Sequence, residues 1–185
     1  MKTICNALIP NAAASDRDEI AKVLSEYPTA ALKLAIQRGI SVRPLDKCES
    51  YRDVSPALRR LAIDVDAWPA PPAGLFVVEE RRVYLRSLSP MTVAHEFAHA
   101  LDCALGDGAY WSGQDPAIRR AYAAARAFVT PYAASGLDEY FAECVRAYVE
   151  VNDASSPWPV ANRQRLRAVD PAMHGVVEQV FLRLK

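Results

Sequence analysis

An excess of charge of either sign is missing from this chain of 185 residues: 22 lysines and arginines face 22 aspartates and glutamates, for a formal net charge of +0. A basic face for nucleic acid or anionic lipid has no support in that balance, so neither kind of partner is expected. Long apolar runs are missing too, which leaves no segment of about eighteen residues able to span a bilayer. There is no internal repeat, low-complexity tract or Gly/Ser linker. The four cysteines, Cys5, Cys48, Cys103 and Cys144, are scattered without a C-x-x-C pair. That usage favours reduced thiols in a cytoplasmic protein over a disulfide framework.

What is present is an ordinary core-forming composition, 51% hydrophobic and 24% charged, as soluble globular proteins have. The length suits one domain over residues 1–185 that buries a real core, and a monomer is expected. Lys2, the apolar Ile4 to Ile9 and Ala12 to Ala14 faintly outline an export signal, but Asn6 and Pro10 interrupt it. The expected location is therefore the cytoplasm, or outside the cell by a secretion or injection system that needs no cleavable signal.

Along the chain, Ser15 with Asp18 reads as a helix start, and Ile20, Val23, Leu24 and Tyr27 recur at helical spacing. Thr29 to Arg38 reads as a helix stopped by Gly39, and Ile40 to Arg43 alternates like a short strand. Ser55-Pro56 opens another helix, and the proline-rich stretch from Trp68 to Gly74 reads as a stiff extended connection. Leu75 to Val78 and Val83 to Leu85 flank a polar turn, as in a hairpin. Ser89-Pro90 then starts a strong helix that ends at Gly106. Later helices are expected from Asp115-Pro116 to Val129, from Leu137 to Val151, from Val160 to Val169, and from Asp170-Pro171 onward. The predicted class is α+β, mostly helical, with one small mixed sheet preceding the long helix.

Within that helix lies His95-Glu96-Phe97-Ala98-His99, an H-E-x-x-H motif in a chain with 3 histidines. Four residues are just over one helical turn, so both imidazoles project from one face. Such a pair can share one zinc ion, with Glu96 reaching water beside it. A catalytic zinc needs a third protein ligand and an open position. Glu139 and Glu143 lie i, i+4 on a later helix that also carries Tyr140, Phe141, Val145 and Tyr148. Side by side and buried, the two carboxylates would repel and lose hydration, and a cation would relieve that cost. The alternative is a solvated acidic edge shared with Asp138 and Glu150.

These residues resemble a known family. His95-Glu96-Phe97-Ala98-His99-Ala100-Leu101-Asp102, with Tyr132 seven positions before Glu139-Tyr140-Phe141-Ala142-Glu143, resembles the catalytic domain of anthrax lethal factor. It is similar also to the Pro-Pro endopeptidases and the Mlc titration factor peptidase, over residues 89–151. The resemblance implies a zincin-like fold of the gluzincin type and a Zn2+-dependent endopeptidase. It implies metal on His95, His99 and Glu139, Glu96 as general base, and Tyr132 donating to the oxyanion. Glu143, and also Asp102, would accept a proton from a ligand histidine and fix its orientation; an exposed helix acid is the other reading of Asp102.

A peptide or protein substrate is expected to bind extended along a sheet edge, either Leu75 to Val78 or Val83 to Leu85. A housekeeping peptidase and a delivered toxin or effector are both compatible with the sequence. Two other readings stay open: a zinc-stabilised regulatory or protein-binding module that cuts nothing, and a repressor-cleaving H-E-x-x-H peptidase. Arg163, Arg165 and Arg167 read as a solvated face, His174 as surface or packing, and Cys103 as a small buried thiol.

Overall fold

The computed structural model describes residues 2–154 and 160–184. In chain order its elements are α1 (Lys2–Leu8), α2 (Ala14–Leu24), α3 (Thr29–Gln37), β1 (Ser41–Pro44), α4 (Tyr51–Val54) and α5 (Pro56–Leu61). There follow β2 (Gly74–Val77), β3 (Arg82–Leu85), α6 (Pro90–Leu105), α7 (Pro116–Ala124), α8 (Leu137–Tyr148), α9 (Arg163–Val169) and α10 (Pro171–Arg183). The class is α+β, mostly helical, with one small mixed sheet ahead of the long helix, as the sequence predicts.

The long helix α6 forms because its start is well specified. Ser89 accepts from the Thr92 amide at 3.2 Å, and Pro90 occupies the first position, where no amide is needed. Asp153 binds the Met91 amide at 2.8 Å and satisfies another free donor of the first turn. From Val93 to Ala104 every residue except His95 is buried, on all faces, which is the pattern of a helix enclosed by neighbours. Those neighbours are α2, α3, α8 and the sheet. Tyr27 from the end of α2 fixes the register: its hydroxyl donates to the Ala94 carbonyl at 2.6 Å, and its ring meets Phe97 edge-on at 4.8 Å.

The sheet order is β1-β3-β2, with β1 parallel and β2 antiparallel to β3. The β2–β3 connection is a tight turn over Val78–Glu80 closed by Arg81 at φ 51°. β3 is therefore the central strand, paired on both sides, and among the described residues only β2 of the two hairpin strands has a free edge. Of the two expected docking strands, Val83 to Leu85 is thus corrected: both of its hydrogen-bonding sides are already used. The reason is the parallel return of β1, a long-range pairing that local alternation does not encode.

The segment between β1 and β2 carries α4, α5 and a second small core of Tyr51, Ala57, Leu58, Val65, Val77 and Tyr84. Glu80 anchors it: one carboxylate oxygen accepts from Ser55 Oγ at 2.5 Å and the Ala57 amide at 2.8 Å, and the other from the Tyr84 hydroxyl. Burial alone would raise the Glu80 pKa, but these donors and Arg82 hold it below the ordinary carboxylate value.

One segment without a predicted element is helical, and two expected helix boundaries are revised. The N-terminal apolar stretch folds as α1 and buries Cys5, Leu8 and Ile9 in the main core, so its hydrophobicity is consumed in packing. α7 stops at Ala124, not Val129, because the chain turns inward there: Val129 is buried, and its carbonyl accepts from Arg165 Nε at 2.9 Å. α9 starts at Arg163, capped by the Asn162 side chain on the Arg165 amide at 2.8 Å. Among the described residues no helix is long and apolar enough to cross a membrane.

The stabilisation from Glu80 is present above its unfolded pKa near 4.5 and is lost as pH falls through the depressed folded value. Replacing Glu80 by Gln is expected to lower stability at neutral pH by about 1–2 kcal/mol. It should also flatten the loss of stability below pH 4.5, measured by denaturant unfolding across pH.

Candidate metal centre

α6 and α8 pack face to face, and their polar positions meet inside that contact. His95 and His99 lie one turn apart on α6, with Nε2 atoms 3.0 Å from each other. Glu139, in the first turn of α8, places Oε2 at 3.0 Å from His95 Nε2 and 3.3 Å from His99 Nε2. Three donor atoms on two helices thus converge on one point, and these three residues form a group that could hold a metal ion.

The chemistry of the donors tests that fit. Glu139 Oε2 is buried and makes no hydrogen bond among the described residues, despite two ring nitrogens at contact distance. His95 Nδ1 lies 2.9 Å from Glu143 Oε1. A carboxylate takes the proton-bearing nitrogen, so in the neutral ring that a metal requires the His95 Nε2 lone pair faces the cluster. With both rings neutral and turned this way, two lone pairs and a carboxylate oxygen would meet, an arrangement that needs a positive charge between them, a metal cation or a proton. Donors 2.0–2.1 Å from a tetrahedral cation stand about 3.3 Å apart, close to the separations seen. The residues fit a small divalent metal.

The electrostatics agree. Burial would lower the His95 pKa, but the adjacent Glu139 and Glu143 carboxylates raise it to about 10. Burial would raise both carboxyls, yet the imidazoles at Glu139, and Arg146 with His95 at Glu143, hold them well below the usual range. The pocket favours positive charge. Glu96 sits beside the cluster and is 9% exposed; burial pushes its pKa up, against the pull of His95 and His99.

Glu96 owes its place partly to Gly74 on β2. A Cβ at Gly74 would collide with Glu96 Cγ and approach Thr92 Cγ2 to 2.9 Å. The missing side chain lets the free sheet edge lie directly against α6. A cleft of about 270 Å³ opens here, lined by Pro72, Gly74, Thr92, His95, Glu96 and Tyr132 among others.

Tyr132 stands in a short 3-10 turn before α8, 46% exposed, its ring 5.5 Å from that of His95. Its hydroxyl donates to Glu139 Oε1 at 3.0 Å, so here it serves the carboxylate and not the open cleft. Burial and the Glu139 charge raise its pKa above the ordinary phenol value. Asp102 is placed differently from expectation: fully buried, it accepts from the Ser112 amide at 2.8 Å and Ser112 Oγ at 2.6 Å. It ties down the loop after α6, and its carboxylate is committed to Ser112, not to a ligand histidine. Burial, opposed by the Ser112 bonds, pushes its pKa up to about 6.

Sequence reasoning missed three neighbours of the centre. Arg146, 1% exposed, grips Glu143 with two nitrogens at 2.9 and 2.8 Å. Thr130 Oγ1 donates to Glu143 Oε2 at 2.6 Å. The Tyr110 ring lies 5.7 Å from that of His99, and between it and Phe76 the distance is 6.3 Å. Arg146 three residues after Glu143 was a readable helical pair; nothing local marks the other two. Elsewhere Cys103 is buried, His174 packs on Tyr148 at 5.6 Å, and Arg163 stacks over Tyr148 at 4.5 Å.

Removing the shared oxygen should break the cluster. Glu139→Ala is expected to lose tight divalent-metal binding, read as metal per chain after dialysis, while the fold persists. Retained stoichiometry would remove Glu139 from the ligand set.

No protein-family model and no curated protein matches this chain. Among solved structures it is similar to the PRO-PRO endopeptidase PPEP-2 from Paenibacillus alvei, with a TM-score of 0.67 and 18% identity, covering 96% of this chain and 100% of that one. The likeness is one of fold, and it extends well beyond the two motif helices into the N-terminal segment. The chain has a zincin-like α+β fold.

Proposed function

We propose that this chain is a single-domain, zinc-dependent endopeptidase of the gluzincin type, related to the lethal factor-like group. The observation that carries the reading is the convergence of His95 Nε2, His99 Nε2 and Glu139 Oε2 within 3.3 Å beside a buried Glu96. The fold shared with a protein described as an endopeptidase supports it. Zinc held by those three atoms supplies a Lewis acid that polarises a carbonyl and acidifies water.

The remaining work falls to side chains. Glu96 is a base of raised pKa, held clear of solvent. It takes a proton from the attacking water and returns it to the departing amine nitrogen, which matches its proton affinity to both steps. Tyr132 keeps its proton because its pKa is raised. Its phenol leaves Glu139 Oε1 when substrate arrives and donates to the oxygen on which negative charge develops.

The substrate lies extended along β2. The Ala73 carbonyl accepts from the Arg86 and Ser87 amides, both at 2.9 Å, so it faces β3. By alternation Gly74 and Phe76 turn their main-chain groups away from β3; the Phe76 amide is directed at Glu96, and Gly74 offers its groups to a peptide strand. Gly74 also keeps that edge close to Glu96.

Glu96→Gln is expected to keep metal content and reduce peptide cleavage by at least about 10²–10⁴-fold, scored against a peptide library. Undiminished cleavage would defeat the general-base role; a wild-type protein that binds zinc and cuts nothing would favour a non-cleaving module. Tyr132→Phe should lower kcat by about 10²–10³-fold with KM little changed. A change confined to KM would place Tyr132 in substrate binding instead.

A further inference from the structure

The Glu143 carboxylate is a junction. Oε1 meets His95 Nδ1 at 2.9 Å, and Oε2 accepts from Thr130 Oγ1 at 2.6 Å. Thr130 in turn accepts from the Ala133 amide at 3.3 Å, so it holds the turn in which Tyr132 stands. One carboxylate therefore touches both halves of the centre: an imidazole on α6, and the turn before α8.

What sets the plane of that carboxylate is Arg146. Its Nε and Nη2 bind Oε1 and Oε2 at 2.9 and 2.8 Å, one nitrogen to each oxygen. Its Nη1 is held by the Val151 carbonyl at 3.0 Å and Asn152 Oδ1 at 3.1 Å. Asn152 is itself tied to Ala161 in both directions, at 2.8 and 3.0 Å. The guanidinium is thus fixed on every side, 1% exposed. A planar fork fixes the orientation of a carboxylate, whereas a lysine ammonium would balance its charge without fixing its plane.

We infer that Arg146 is a positioning residue: through the two oxygens of Glu143 it aims the His95 imidazole and holds the turn that carries Tyr132. Thr130 transmits the second of these effects alone. The inference deepens the proposed zinc centre and rests on it for one readout, metal affinity; the others are independent of metal.

The test compares the full-length wild type with Arg146→Lys and Thr130→Val in three measurements. These are zinc affinity by competition with a chromophoric chelator, the hydrogen-bonded His95 Nδ1 proton by NMR in chelator-treated protein, and amide exchange at Ala133. Arg146→Lys, retaining the charge, is expected to weaken zinc binding about tenfold or more. It should also broaden or abolish the His95 proton signal and speed exchange at Ala133. Thr130→Val should speed exchange at Ala133 alone and leave zinc affinity and the His95 signal as in wild type. Arg146→Lys indistinguishable from wild type in all three would overturn the inference, since charge balance would then suffice. Zinc affinity lost equally in Thr130→Val would also overturn it, by showing one undivided structural effect. If Arg146→Lys does not fold, Thr130→Val still decides whether the two halves separate. Failure of wild type to bind zinc would sink the proposed centre, while the proton signal and the exchange would still decide the role of Arg146.

Discussion

Everything at this centre depends on drawing four charged or chargeable groups, two buried and two partly buried, into the place where two helices meet. Glu139, Glu143, His95 and Arg146 all lie at the α6–α8 contact, and isolated charges there would be prohibitive. The structure resolves this by alternation. Arg146 balances Glu143 through a fork, Glu143 engages His95, and both imidazoles face Glu139. The set leaves one focus of negative potential and lone pairs, where a cation is favoured. Had Arg146 been absent, the Glu143 charge would remain buried with less to oppose it. The cost of desolvation therefore selects the whole constellation and not the two histidines alone.

That contact must be held in register for the donors to meet. Tyr27 and the first-turn caps from Ser89 and Asp153 fix α6. The Thr130 link to Glu143 and the Arg165 bond to the Val129 carbonyl fix the approach to α8. These are ordinary interactions, about 1 kcal/mol each net. Their importance is geometric, because a shift of one residue on either helix would turn a donor away.

The sheet contributes the third wall. β3 is spent on pairing with both neighbours, so β2 supplies the free edge beside the centre. Gly74 brings that edge against Glu96, where any larger residue would force the two apart. A binding edge and a candidate base are thereby set side by side by the lack of one side chain.

Much of the site was legible because helix geometry is local. A spacing of four puts His95 and His99 on one face whatever surrounds them, and the same holds for Glu139 and Glu143. Ser89-Pro90 likewise marks its helix start through nearby backbone donors. The resemblance that supplied Tyr132 named its position, but not that its hydroxyl would rest on Glu139. Asp102 shows the limit: its spacing one turn beyond His99 suits orienting the ring, yet the loop that folds back with Ser112 takes both of its oxygens. The strand order, the early end of α7, the packing of one face of α1 and the roles of Arg146 and Thr130 all come from partners far along the chain. Sequence by itself determined which side chains share a helical face, since that follows from 3.6 residues per turn. Only the tertiary structure decided which faces meet and which edge stays free, since those follow from packing and charge compensation between segments that local periodicity does not connect.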